Sequence, residues 1–164
     1  MRRRFLVLLA LALLLAACGG GEEGEPEGPV LWFCTSPEES HGPALACEPY
    51  RPPEGELTPN PGALLEALMA GPADPGLVSP FPRGLTFQWW EWDDSHPGNL
   101  RVRMSEQYGG LTDIALTLAD YCIVLTLSQV EGVEGVEILS AGYSANYRSH
   151  QLMTPEEAVL QENA

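Results

Sequence analysis

Apolar positions fall into two helical rhythms and four shorter strand-like runs. In NPGALLEALMAGP, Leu64, Leu65, Leu68 and Met69 share one stripe. Asn60 can cap this helix, Pro61 suits its first position, and Gly71-Pro72 stops it. From Thr112, with Asp113 in the first turn, TDIALTLADYCIVLTLSQV predicts a second helix of about five turns. Leu111, Ala115, Leu118, Cys122 and Leu125 recur at its 3.6 period, and Ile114, Tyr121 and Val124 widen the stripe. VLWFC, LTFQWWEWDD, NLRVRMS and VEILSAG read as strands, with Pro97-Gly98 turning the chain between the second and third. The order strand, helix, strand, strand, helix, strand predicts an α+β fold with both helices on one face of a mixed sheet.

Strict alternation sorts the tryptophan-rich run. It places Leu85, Phe87 and Trp89 on one face, and Thr86, Gln88, Trp90 and Trp92 on the other. In the next strand Leu100, Val102 and Met104 share a face opposite Arg101 and Arg103. Matching the apolar sets puts Trp89 under the helices and leaves Trp90 and Trp92 on the open face beside Arg101 and Arg103, within cation-π reach.

The N-terminus carries a different pattern. Arg2, Arg3 and Arg4 precede an unbroken apolar run over residues 5–17, thirteen positions long. A spanning helix needs about 20, so this is the h-region of an export signal. Leu15-Ala-Ala-Cys18 matches the lipobox of bacterial lipoproteins at every position, predicting removal of residues 1–17 and a lipid anchor on Cys18. Residues 18–29 then hold only the lipidated Cys, Gly, Glu and Pro, a flexible, self-repelling tether. Residues 30–142 form one folded domain, and residues 143–164 a tail in which Thr154-Pro-Glu-Glu157 has the start of a short helix.

Charge narrows the partners. The chain has no Lys, and its formal net charge is −15. Loss of residues 1–17 removes three of eight cations and none of the 23 acids, leaving −18. Such a surface repels phosphate backbones, which excludes nucleic acid as a partner.

Cys34 and Cys47 bracket a polar, Pro-containing loop. In an oxidising compartment a disulfide between them is expected, contributing about 3 kcal/mol on the chain-entropy model. Cys122 lies in an apolar helical pattern and reads as a buried small hydrophobe. A metal site from Cys34, His41 and Cys47 lacks a fourth ligand and the paired spacings of zinc sites. His41, His96 and His150 have no activated nucleophile beside them. Asp93, Asp94 and His96 read as a solvated hairpin tip. No catalytic residue, metal or cofactor is therefore assigned.

The ordered set LLEALMAGP, GLVSPFPRGLTF, a strand ending in Met104-Ser105-Glu106, and a long helix followed by SQVEGVEGVEILSAG resembles the GerMN domain of sporulation and spore-germination lipoproteins. It covers about residues 30–142. The resemblance implies an envelope-attached, non-enzymatic module similar to the ring-building domains of spore-formers' secretion-like channels. One departure is Val102-Arg-Met-Ser105, where the family commonly has Val-Asp-Leu-Ser; any contact of that acid does not carry over to Arg103. Gly71-Pro72, Pro82, Gly84 and Ser105 read as architectural.

The expectation is a lipid-anchored scaffold on the extracytoplasmic face of the cell membrane, binding an envelope protein or itself through Trp90, Trp92, Arg101 and Arg103. Two alternatives remain for the rings: cover by the C-terminal tail, or a peptidoglycan-binding platform. A cell-wall hydrolase-associated module is the alternative from another class.

Overall fold

The computed structural model describes residues 28–35, 44–52, 60–140 and 151–158. Strand β1 (Val30–Thr35) pairs antiparallel with β2 (Leu45–Pro49) along its length. At its far end β1 also pairs with the two-residue β3 (Leu77–Val78), giving a three-stranded sheet in the order β2-β1-β3. Strands β4 (Phe87–Trp92), β5 (Asn99–Met104), β6 (Gly135–Ser140) and β7 (Gln151–Met153) form a second, mixed sheet in that order, antiparallel except for the β5–β6 pair. Helices α1 (Pro61–Ala70) and α2 (Asp113–Leu127) complete the fold, with a 3-10 turn over Glu106–Gly110. The α+β class with two helices on a mixed sheet holds. Strands β2, β3 and β7 are additions that periodicity did not predict.

The signal segment, Cys18, most of the tether, His41 and His150 lie outside the described residues. The C-terminal segment enters the sheet as β7, so the domain extends beyond residue 142. The expected helix at Thr154 is, in the described residues, one turn. Glu157 accepts from the Thr154 amide at 2.9 Å, and the amides of Glu157 and Ala158 return to the Thr154 carbonyl.

Helix α1 forms where its punctuation places it. Asn60 Oδ1 accepts from the Ala63 amide at 2.9 Å, Pro61 opens the first turn, and Gly71 leaves it at φ 91, a conformation that favours glycine. Leu64, Leu65 and Leu68 are completely buried, each contributing roughly 1.5–3 kcal/mol. Beyond the helix, the Glu48 carboxylate of β2 accepts from the Ala73 and Asp74 amides at 2.8–3.1 Å, pinning this turn to the first sheet.

The face of the second sheet that meets the helices carries Leu100, Val102 and Met104 of β5 and Val136 and Ile138 of β6, all buried. Helix α1 packs on β4 and α2 on β6, so both lie on that face. The α2 stripe differs from the expected one. Leu116, Ala119, Ile123, Val124 and Leu127 join the main core, whereas Ala115 is exposed and Ile114 is 75% exposed. Because α2 packs against both β1 and β6, it is apolar on more than one side, and a 3.6-residue count over such a helix fits several phases equally well. Asp120 is buried within it, and its carboxylate accepts from the Tyr108 hydroxyl of the 3-10 turn. Thr112 stands at the N-cap without a side-chain capping bond.

The C-terminal end of α2 closes β1. Gln129 Oε1 accepts from the Val30 amide at 2.7 Å, and Gln129 Nε2 donates to the Val30 carbonyl at 2.8 Å. One side-chain amide thus stands in for a neighbouring strand. The same Nε2 donates to the Thr126 carbonyl at 2.9 Å, one of the carbonyls a helix end leaves without a partner. One step along, the Trp32 amide donates to Thr126 Oγ1 at 3.1 Å.

Replacing Gln129 by Ala orphans the Val30 amide and carbonyl together, and should lower the unfolding free energy by about 1–3 kcal/mol in denaturant titrations. Gln129→Glu should recover little of this, since a carboxylate accepts from the amide but faces the Val30 carbonyl without a donor. Full stability in the Glu variant would show that the carbonyl contact contributes nothing.

Candidate functional site

The expected binding residues all lie on β4 and β5, and the register between these strands decides which way each points. Phe87 stands opposite Met104, but Trp89 is opposite Arg103, Trp90 opposite Val102, Glu91 opposite Arg101 and Trp92 opposite Leu100. A β-bulge between Phe87 and Trp89 takes up Gln88 as an extra residue. A one-residue slip exchanges the two faces of everything beyond it. Phe87, Trp90 and Trp92 therefore share the face of Val102, and Trp89 and Glu91 share the face of Arg101 and Arg103.

This corrects the assignment of Trp90 and Trp92 to the open face and of Trp89 to the core. Trp90 is half-buried against the main core and lies over the first turn of α1. A Cβ on Gly62 would come within 2.9 Å of Trp90 Nε1 and 3.1 Å of Asn60 Oδ1, so glycine is what lets the ring reach the helix. Trp92 sits at the strand's end, 41% exposed, with its ring 3.8 Å from where a Gly132 Cβ would stand. Strand β7 pairs at the opposite edge of the sheet from β4, so residues 151–153 do not cover the tryptophans.

Arg101 and Arg103 do occupy the open face. Across three strands Glu91, Arg101 and Glu137 form one row, and β7 adds Leu152 to it, 45% exposed. Arg101 donates from Nε to Glu137 at 2.7 Å and from Nη1 to Glu91 at 2.9 Å. The Glu137 bond is the larger cause holding the guanidinium further above its already high pKa. The adjacent row is Trp89, Arg103 and Leu139; Leu139 is buried, Arg103 half-buried and Trp89 36% exposed.

Sequence reasoning missed Trp89, Glu91 and Glu137. A signal for the first two was present. Strict alternation puts Glu91 in the core with Phe87, where an unpaired carboxylate is costly. Setting Glu91 opposite Arg101 instead requires one extra residue upstream.

The remaining expected features are local. At the β4–β5 hairpin tip Asp93 accepts from the Ser95 amide at 2.8 Å and lies 3.0 Å from His96 Nδ1. The Ser95 bond, more than His96, holds the Asp93 carboxyl below its ordinary value, a polar turn in water. Gly98 turns the chain at φ 94 into β5. Ser105 clips β5 to the residue preceding β4: its amide donates to the Thr86 carbonyl at 2.8 Å, and its hydroxyl accepts from the Thr86 amide at 3.1 Å. Among the described residues no three His, Cys, Asp or Glu side chains converge as metal ligands.

The cysteines also depart from expectation. The β1–β2 register sets Cys34 opposite Leu45 and Cys47 opposite Trp32. The two are thus diagonal neighbours, roughly 7–8 Å apart, beyond the 4.4–6.8 Å Cα separation of a disulfide. All three described cysteines are free thiols, and that of Cys34 lies next to the Cys122 thiol.

The profile of the family described as "Germane: Sporulation and spore germination" matches residues 44–145, more than half of the chain. The chain belongs to this family. Its fold is similar to that of the tandem GerMN domains of the sporulation protein GerM from Bacillus subtilis. The TM-score is 0.52 at 15% identity, over 71% of this chain and 40% of that one. The first GerMN domain of the same protein gives the same TM-score and identity, over 71% of this chain and 84% of that one. The chain thus spans less than half the length of the tandem protein. No curated protein matches the sequence. The matched span takes in both helices and strands β2 to β6, including the open face of this Germane chain.

Trp90→Ala should lower the unfolding free energy by about 3 kcal/mol through the gap left over α1. Gly62→Ala should act in the same direction, by about 1–3 kcal/mol, by displacing the ring. Trp89→Ala should stay within about 0.5 kcal/mol of the parent. Chemical denaturation of the three variants checks this, and a Trp89 variant as unstable as the Trp90 one would overturn the register.

Proposed function

We propose that this Germane-family chain is a lipid-anchored scaffold on the extracytoplasmic face of the cell membrane, working in sporulation or spore germination by binding a protein partner rather than by catalysis. The observation that carries the reading is the open face of the second sheet. An exposed Trp89 stands beside Arg103, while the neighbouring Arg101 is already neutralised by Glu91 and Glu137. An indole with a guanidinium next to it has the composition of a protein-binding hot spot. Charges paired with one another offer little to a reacting substrate.

Anchoring rests on the sequence. Leu15-Ala-Ala-Cys18 follows a thirteen-residue apolar run, and the Gly/Glu/Pro tether separates that Cys from β1. Among the described residues no helix is long and apolar enough to cross a membrane. The acidity of the chain, net −15, favours a domain that stands off anionic lipid.

Replacing Cys18 by Ala should move the protein from the membrane pellet to the soluble fraction of salt-washed cells; retention in the pellet would overturn the anchor. A photo-crosslinker at position 89 should give protein adducts in sporulating cells, and Trp89→Ala with Arg103→Ala should weaken that association at least tenfold. Adducts to wall glycan instead would favour the peptidoglycan-binding alternative.

A further inference from the structure

We propose that Cys34 and Cys122 are a disulfide-forming pair that joins β1 covalently to α2. Helix α2 runs antiparallel along β1, and three of its residues meet alternate strand positions. Gln129 bonds Val30, Thr126 bonds Trp32, and Cys122 meets Cys34. From Cys122 to Gln129 a helix rises about 10 Å, and from Val30 to Cys34 a strand rises about 13 Å. The two spacings are close enough for the alignment to hold over three steps. Bonds of 2.7, 2.8 and 3.1 Å fix the first two steps, leaving the thiols facing each other at the third.

The two thiols are unequal. Cys34 is half-buried, and the hydrogen bond from Cys122 holds its thiol below the ordinary value against the opposing effect of burial. Cys122 is buried, and that same contact together with desolvation pushes its thiol up. Cys34 is therefore the attacking sulfur. Its thiolate displaces one thiol from a disulfide donor, such as a dithiol oxidase or oxidised glutathione, forming a mixed disulfide. Cys122 then loses its proton to solvent and attacks Cys34 Sγ, releasing the second donor thiol. Two electrons pass to the donor, and one protein S–S bond replaces two S–H bonds. Cys47, offset from Cys34 in the β1–β2 register, remains free.

The test uses the purified full chain carrying Cys18→Ala, oxidised with glutathione disulfide. Cleavage at glutamates places Cys34, Cys47 and Cys122 on separate peptides, with Cys34 between Glu27 and Glu38, Cys47 between Glu39 and Glu54 because the bond from Glu48 to Pro49 resists cleavage, and Cys122 between Glu106 and Glu131. A Cys34–Cys122 crosslinked peptide is expected. It should come with a rise in Tm of about 10 °C that dithiothreitol reverses, since the bond closes a loop of about 88 residues. Cys47→Ser should keep both effects and Cys34→Ser should lose them. A Cys34–Cys47 crosslink, or three alkylatable thiols after oxidation, would overturn the pair. Because this test is done in solution, it is independent of export. Finding the pair reduced in cells but readily oxidised in solution would support the pair and count against the extracytoplasmic placement instead.

Discussion

The Gln129 amide is the constraint on which the arrangement of the two sheets depends. A strand edge and a helix C-terminus both leave backbone groups without partners, and each costs roughly 1–3 kcal/mol if buried unsatisfied. Gln129 answers both with one side chain, bonding the amide and carbonyl of Val30 and the Thr126 carbonyl. Because an amide can donate and accept in one plane, it can replace a strand for one residue; a carboxylate or an ammonium cannot. Fixing α2 against β1 in this way makes the helix a middle layer, with the first sheet on one side and β6 on the other.

That two-sided burial explains what was legible in the sequence and what was not. Helix α1 could be read to the residue because its buried leucines form a single stripe and its ends carry sharp signals, Asn60 before it and Gly71 after it. Helix α2 could be located but not phased. Cys122 and Thr126 turn toward β1, while Ile123 and Leu127 turn to the main core, so adjacent positions are buried for different reasons. Strands β2 and β7 escaped notice because their surroundings are loop-like in composition and neither exceeds five residues. The family could be recognised nonetheless, since its ordered segments include the helix stop, the Pro/Gly turns and the strand ending at Ser105, which depend on backbone geometry and not on helix phase.

The error at the tryptophans has a single cause. Alternation is a rule about regular strands, and one bulged residue inverts it for everything downstream. Alternation holds for Phe87, which precedes the bulge, and is inverted for Trp89, Trp90 and Trp92, which follow it. The disulfide expectation failed in a related way. Proximity along the chain favoured Cys34 with Cys47, but pairing needs register. Register sets Leu45 and not Cys47 against Cys34, while a distant helix brings Cys122 there.

In a chain with 23 acids and eight cations, the placement of each arginine matters. Arg101 lies at the middle of the second sheet's open face and draws Glu91 from β4 and Glu137 from β6 onto β5. Exposed ion pairs contribute only about 0–1 kcal/mol each, so this row is a weak source of stability. Its larger effect is on register, because a one-residue shift of β4 or β6 would carry its acid to the opposite face and leave a carboxylate against the apolar residues of β5. The bulge at Gln88 lets β4 satisfy both demands at once, holding Phe87 and Trp90 on the core side while Glu91 reaches Arg101. The indole of Trp89 is left on the solvent side as a consequence. The most prominent feature of the proposed binding face thus arises from the same single-residue insertion that lets the β4–β5 pair close its core.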